Sequence, residues 1–116
     1  MKFRKTENIY QVIRVTGNEH HILGIRFDEN PNEKNTIQII DLDFPKIDNT
    51  KVRTSHTELL DQVLDGLDSL NRSLQTTYML SKIYYVPSLD GSSSIYRTLI
   101  RALIRRYHNS NKFEEF

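Results

Sequence analysis

The sequence predicts an α+β domain: a mixed sheet, begun by a three-stranded antiparallel meander and covered by two helices. Three observations predict it. The first half holds three segments rich in β-branched and aromatic residues. The second half holds two stretches with apolar residues at helical spacing, and a further β-rich segment lies between them. The element order is β-β-β-α-β-α, and a strand that returns after a helix to a sheet begun by a meander makes the sheet mixed.

Each element follows from its residues. Ile9–Val15 is a strand by β-branched content, and Thr16-Gly17-Asn18-Glu19 supplies turn chemistry. His21–Phe27 is the second strand, with His21, Leu23, Ile25 and Phe27 on one face and Ile22, Gly24 and Arg26 on the other. Polar residues follow from Asp28 to Asn35, where Pro31 breaks any ladder. Thr36–Phe44 is the third strand. Its second half alternates Ile40, Leu42 and Phe44 against Asp41 and Asp43, which predicts that the isoleucine–leucine face is buried and the aspartate face wet. Ser55 and Glu58 have capping-box spacing and open a helix, whose Leu60, Val63, Leu64, Leu67, Leu70 and Leu74 form an apolar stripe. Gly66 within it should weaken the helix by roughly 1 kcal/mol relative to Ala. Met79–Val86 is the fourth strand, stopped by Pro87. Ser88–Ser94 is a loop with three candidate N-caps, and Ile95–His108 is the second helix, with Ile95, Tyr96, Leu99, Ile100, Leu103, Ile104 and Tyr107 as its apolar face. Two phenylalanines in the polar tail could pack back.

At 116 residues the chain is expected to form a single domain, 1–116. Hydrophobic residues make up 37% and charged residues 27%, which is polar for a globular domain but short of the composition of a disordered chain. The absence of cysteine excludes a disulfide framework, a cysteine-ligated metal and a cysteine nucleophile. No apolar run is long enough to span a bilayer, and Met1–Asn8 has basic residues without an apolar stretch behind them. A cytoplasmic protein without a signal peptide is therefore expected.

Net charge is +1, but the charge is segregated along the chain: net +3 over residues 1–27, −6 over 28–68 and +4 over 69–116. On the first helix, Glu58, Asp61, Asp65 and Asp68 fall within one narrow arc opposite the leucine stripe, with no lysine or arginine between Glu58 and Asp68. Like charges at this spacing repel by a few tenths of a kcal/mol per pair, about 0.2–0.5. A row of this kind is expected to meet a basic partner, with Asp41 and Asp43 as a second acidic patch. On the second helix, Arg97, Arg101 and Arg105 lie opposite the apolar face, flanked by Arg106. This row could contact phosphates and supports an alternative reading as a nucleic-acid-binding accessory protein. Salt bridges to the acidic segment are the competing explanation for the same four residues.

Catalytic motifs are absent. His20 and His21 adjoin on a strand and point to opposite faces, so they do not chelate one ion easily, and no metal or other cofactor is expected. Asp41 and Asp43 on one strand face could hold magnesium, but such residues more often mark the solvent side. The element order resembles the ribonuclease-H-like fold. Enzymes of that fold carry an acidic residue on the first strand, and Ile9–Val15 has none. Asp90-Gly91-Ser92-Ser93-Ser94 matches no Walker-A pattern, and there is no Gly-x-Ser-x-Gly elbow.

Lys82-Ile83-Tyr84-Tyr85-Val86-Pro87-Ser88, the serine-rich loop after it, Ile95-Tyr96-Arg97-Thr98-Leu99-Ile100 and the closing Tyr107-His108 resemble the C-terminal half of small bacterial immunity proteins. These accompany toxins of contact-dependent growth-inhibition and related polymorphic-toxin systems. The resemblance covers about the last third of the chain and carries no shared active-site signature. It implies a cytoplasmic protein, not an enzyme, that binds and neutralises one toxin domain. A basic nuclease as that toxin would suit the row from Glu58 to Asp68.

Overall fold

A computed structural model of the chain describes residues 1–16, 19–28, 36–42, 55–86 and 94–115. Asp43, the loop residues 29–35 and the serine-rich loop up to Ser93 lie outside these residues. Among the described residues the order is β1 (Lys2–Thr6), β2 (Ile9–Thr16), β3 (Glu19–Phe27), β4 (Gln38–Asp41), α1 (His56–Leu74), β5 (Leu80–Tyr85), α2 (Ile95–Asn109) and β6 (Glu114–Glu115). The strands form one mixed sheet in the spatial order β4-β5-β3-β2-β1-β6. The α+β class, the mixed sheet and the two covering helices are those the sequence predicts.

Strand pairing differs from the sequence reading in one respect. The antiparallel meander is β1–β2–β3, not the three segments read from the sequence. Lys2–Thr6 pairs with β2 from Lys2↔Ile13 to Thr6↔Ile9, across a two-residue turn with Glu7 at φ 50°. The segment read as the third meander strand does not pair with β3. It is β4, at the sheet edge, parallel to β5, which itself lies antiparallel to β3. Parallel neighbours require a crossover too long for a hairpin, and α1 is that crossover. β5 therefore occupies the place beside β3 that the sequence order assigns to β4.

Both helices pack on one face of the sheet. The register puts Val12, Leu23, Ile25, Ile83 and Tyr85 on that face, and all five are buried with Leu59, Val63, Leu67 and Leu70 of α1 and Tyr96, Leu99, Ile100, Leu103 and Ile104 of α2. A bulge keeps the pattern in step. Arg26 pairs with Lys82 and Phe27 with Leu80, so Ser81 is the extra residue, and its hydroxyl donates to the Arg26 and Phe27 carbonyls. Without the bulge Leu80, which is buried, would share a face with Lys82.

β4 is turned over relative to the sequence expectation. Ile37 and Ile39 pack on the core, and Ile39 pairs with Ile83. Ile40 pairs with Tyr84 on the opposite face, and Asp41 lies on the helix-side face beside Tyr85. The strand end passes the first turn of α1, so Asp41 remains exposed there while the two isoleucines before it reach the core.

Local chemistry fixes the helix ends. The Ser55 hydroxyl accepts from the Glu58 N–H at 3.2 Å, as its position predicts. α1 ends on Gln75 in the left-handed region at φ 56°. Asn71 then ties this end to β5: its Nδ2 donates to the Tyr78 carbonyl, and its Oδ1 accepts from Thr76 Oγ1 and the Tyr78 N–H. Ser94 stands at the N-cap of α2 without a side-chain capping bond. The Tyr96 N–H instead donates to Gln62 Oε1 on α1, at 3.1 Å. One helix thus satisfies a backbone donor that the other leaves open.

At the far end of the helix-side face, Tyr10, Phe27, Tyr78, Tyr107 and Phe113 form a ring cluster, with centroids such as Phe27–Tyr107 at 4.6 Å and Tyr10–Phe113 at 5.0 Å. Phe113 thereby packs the tail back on the sheet, as the sequence suggests.

Candidate functional site

The acidic row of α1 is exposed along its length: Glu58, Asp61, Asp65 and Asp68 all lie on the outer side of the helix. Its environment is set by α2. Contacts advance together along the two helices, from Gln62 with Tyr96, through Asp65 with Arg97, to Gly66 with Ile100, so the helices run in the same direction. Gly66 lets them approach closely. A Cβ there would lie 2.6 Å from Ile100 Cγ2 and 2.9 Å from the Arg97 carbonyl oxygen. The acidic row of one helix and the arginine row of the other consequently border the same seam.

Across that seam Arg97 Nε donates to Asp65 Oδ2. The row is therefore not wholly unneutralised. Glu58, Asp61 and Asp68 make no side-chain hydrogen bond or ion pair among the described residues. Asp41, from the second acidic patch, is brought to the start of α1, where its carboxylate meets His56 Nε2 at 2.8 Å. Both groups are more than half exposed, at 55% and 54%. Asp41 thus sits at the N-terminal end of α1 on its sheet-facing side, away from the outer acidic row, where the helix dipole favours negative charge.

The arginines are differently employed. Arg97 holds Asp65. The stem of Arg101 lies over Gly66. Arg106 Nε donates to the Lys112 carbonyl at 2.9 Å, and its guanidinium lies 4.9 Å from the Phe3 ring centroid. Arg105 is exposed, and among the described residues it has no hydrogen-bond or ion-pair partner. The guanidinium groups of Arg97 and Arg106 are engaged within the fold, while those of Arg101 and Arg105 make no hydrogen bond or ion pair among the described residues. Tyr96 is fully buried, its hydroxyl donating to the Val86 carbonyl at 3.0 Å, and Tyr107 sits in the ring cluster. Neither presents a free face for stacking on a base.

A second surface escapes the sequence reading. The sheet face opposite the helices carries Ile9, Gln11 and Ile13 of β2, Ile22, Gly24 and Arg26 of β3, Lys82 and Tyr84 of β5, and Ile40 of β4. None of its isoleucines packs on the core cluster. The available signal was β2 itself, which is apolar at both alternating sets of positions: Tyr10 and Val12 on one face, Ile9, Ile13 and Val15 on the other.

Among the described residues no three or more His, Asp or Glu side chains converge as metal ligands. No described helix is long and apolar enough to cross a membrane. In comparisons with known proteins, no family model, no curated protein and no solved structure matches the chain.

Proposed function

We propose that the chain is an immunity-type binding protein that neutralises a cognate toxin domain by covering its active site or substrate surface. The observation that carries this reading is the exposed carboxylate strip at the outer side of α1, where Glu58, Asp61 and Asp68 stand without ion pairs among the described residues. A strip of one sign, held rigidly on a helix that is itself anchored in the core, speeds encounter with a surface of opposite sign and fixes its orientation. A nuclease domain is the partner class this suits, because a cleft that binds phosphates is basic. Inhibition by occupation requires no chemistry of the strip beyond its charge.

The test is to examine the neighbouring reading frames for a toxin gene and to titrate the chain against that toxin's C-terminal domain. Reversal of Asp61 and Asp68 to lysine should weaken binding and flatten its salt dependence. Both residues are chosen because neither holds the helix seam; Asp65 does. Unchanged affinity and salt dependence would remove α1 as the interface.

A further inference from the structure

We infer that the open face of the sheet is a second docking surface, for a protein segment that is apolar along its middle and acidic at its flanks. The face is laid out in rows by the strand register. One row runs Thr6, Ile9, Arg26, Lys82, Gln38 from β1 to β4, and the next runs Arg4, Gln11, Gly24, Tyr84, Ile40. Ile13 and Ile22 pair in the row beyond, with Lys2 at its β1 end.

Two features define what fits. The first is the apolar middle. Ile9, Ile13, Ile22 and Tyr84 lie around Gly24, with Ile40 beyond Tyr84; Gly24 is itself buried, and a Cβ there would sit 3.3 Å from Tyr84 Cβ and 3.6 Å from Ile9 Cγ2. The isoleucine and Tyr84 side chains are half-buried, and none of them packs on the core cluster that the described helices cover. The second is the charge. Arg26 and Lys82 are direct cross-strand partners, and like charges so placed oppose sheet formation. Neither has an ion pair or side-chain hydrogen bond among the described residues. Lys2 and Arg4 add positive charge toward β1. The one carboxylate that the described register places on this face is Glu114, at the β6 edge beside Arg4.

Charge selects among occupants. A second copy packed face to face would set this cationic surface against itself. A single-stranded nucleic acid would find the cations but only one aromatic ring, among isoleucines that bury area without stacking on bases. An apolar segment flanked by carboxylates satisfies both features, since interfaces of this kind place an apolar centre inside a charged rim. The surface is on the opposite layer from α1, so both can be occupied at once, and this inference does not rest on the toxin reading.

The experiment titrates the isotope-labelled full chain with three probes and follows backbone amide signals. The probes are a glutamate–tyrosine copolymer, polyglutamate of equal length, and single-stranded oligothymidylate. The copolymer is expected to move the amides of Gln11, Ile13, Ile22, Gly24 and Tyr84 and to bind roughly tenfold more tightly than polyglutamate. Arg26→Glu with Lys82→Glu should abolish that binding, Arg26→Gln with Lys82→Gln should weaken it with the fold unchanged by circular dichroism, and Asp61→Lys with Asp68→Lys should leave it intact. The inference is overturned if polyglutamate binds as tightly as the copolymer, if the copolymer moves signals elsewhere, if oligothymidylate binds these residues more tightly, or if the same amides shift with protein concentration alone. It is also overturned if the glutamine pair binds as the parent does.

Discussion

Arg97 of α2 donates to the carboxylate of Asp65 on α1, joining one member of each charged row across the helix seam. The side chains are 39% and 62% exposed, so solvent screens the pair. A double-mutant cycle on Arg97→Ala and Asp65→Ala should give a coupling energy of about 0.5 kcal/mol, shrinking as salt is added. A coupling above about 2 kcal/mol would mean that the pair clamps the helices, rather than trimming their charge.

Gly66→Ala separates the sequence expectation from the structure. Helix propensity alone predicts stabilisation of roughly 1 kcal/mol. The added methyl would meet Ile100 and the Arg97 backbone at distances no Cβ tolerates, so the helices must move apart. Chemical denaturation should show a loss of about 2 kcal/mol.

Tyr96→Phe keeps the buried ring and its edge contact with Tyr85, at 5.7 Å between centroids, and removes the hydroxyl. The Val86 carbonyl then loses the donor it has at 3.0 Å. Denaturant unfolding should report a cost of about 1–2 kcal/mol with an unchanged slope.

Tyr78 gives a pH dependence. Partial burial, and then the neighbouring Tyr107, raise the pKa of its phenol above the ordinary value. Its oxygen also lies 2.9 Å from His108 Nδ1. The folded state thus holds the proton more tightly than the unfolded chain. The resulting contribution to stability is complete below a pH of about 10 and is lost as pH rises from there through the folded-state pKa. Phenolate absorbance across an alkaline titration should contain a late-titrating component that is lost in Tyr78→Phe.

The parts of the molecule that were legible in sequence are those where local pattern and tertiary role agree. Ser55 caps α1 because its side chain needs only the next turn. Of the predicted stripe Val63, Leu67 and Leu70 are buried, while Leu60, Leu64 and Leu74 are half-buried. Leu59, outside the stripe, is fully buried, because the sheet and α2 set the buried centre of the helix. β1 was not legible: Phe3 is the sole apolar side chain of Lys2–Thr6, and the strand exists because β2 offers it a ladder. β4 was misread because Ile37, Ile39 and Ile40 allow either face, and only the position of α1 decides between them. The acidic row could be read residue by residue, but its partner could not, since Asp65 and Arg97 are 32 positions apart. Gly66 looked like a weakness for the same reason: what it makes room for lies on another helix. The open sheet face was written in β2 and β3 as apolar residues at both parities, a pattern equally compatible with a sheet covered on both sides.

The insertion of β5 between β3 and β4 sets an order of assembly. The β1–β2–β3 ladder closes through two tight connections and needs nothing downstream of Phe27. β4 has no neighbour to pair with until Leu80–Tyr85 has arrived from beyond α1. On a nascent chain, the edges of both β3 and β4 stay open until that segment leaves the ribosome, and a fragment cut between β4 and β5 carries both strand edges ready to recruit other chains.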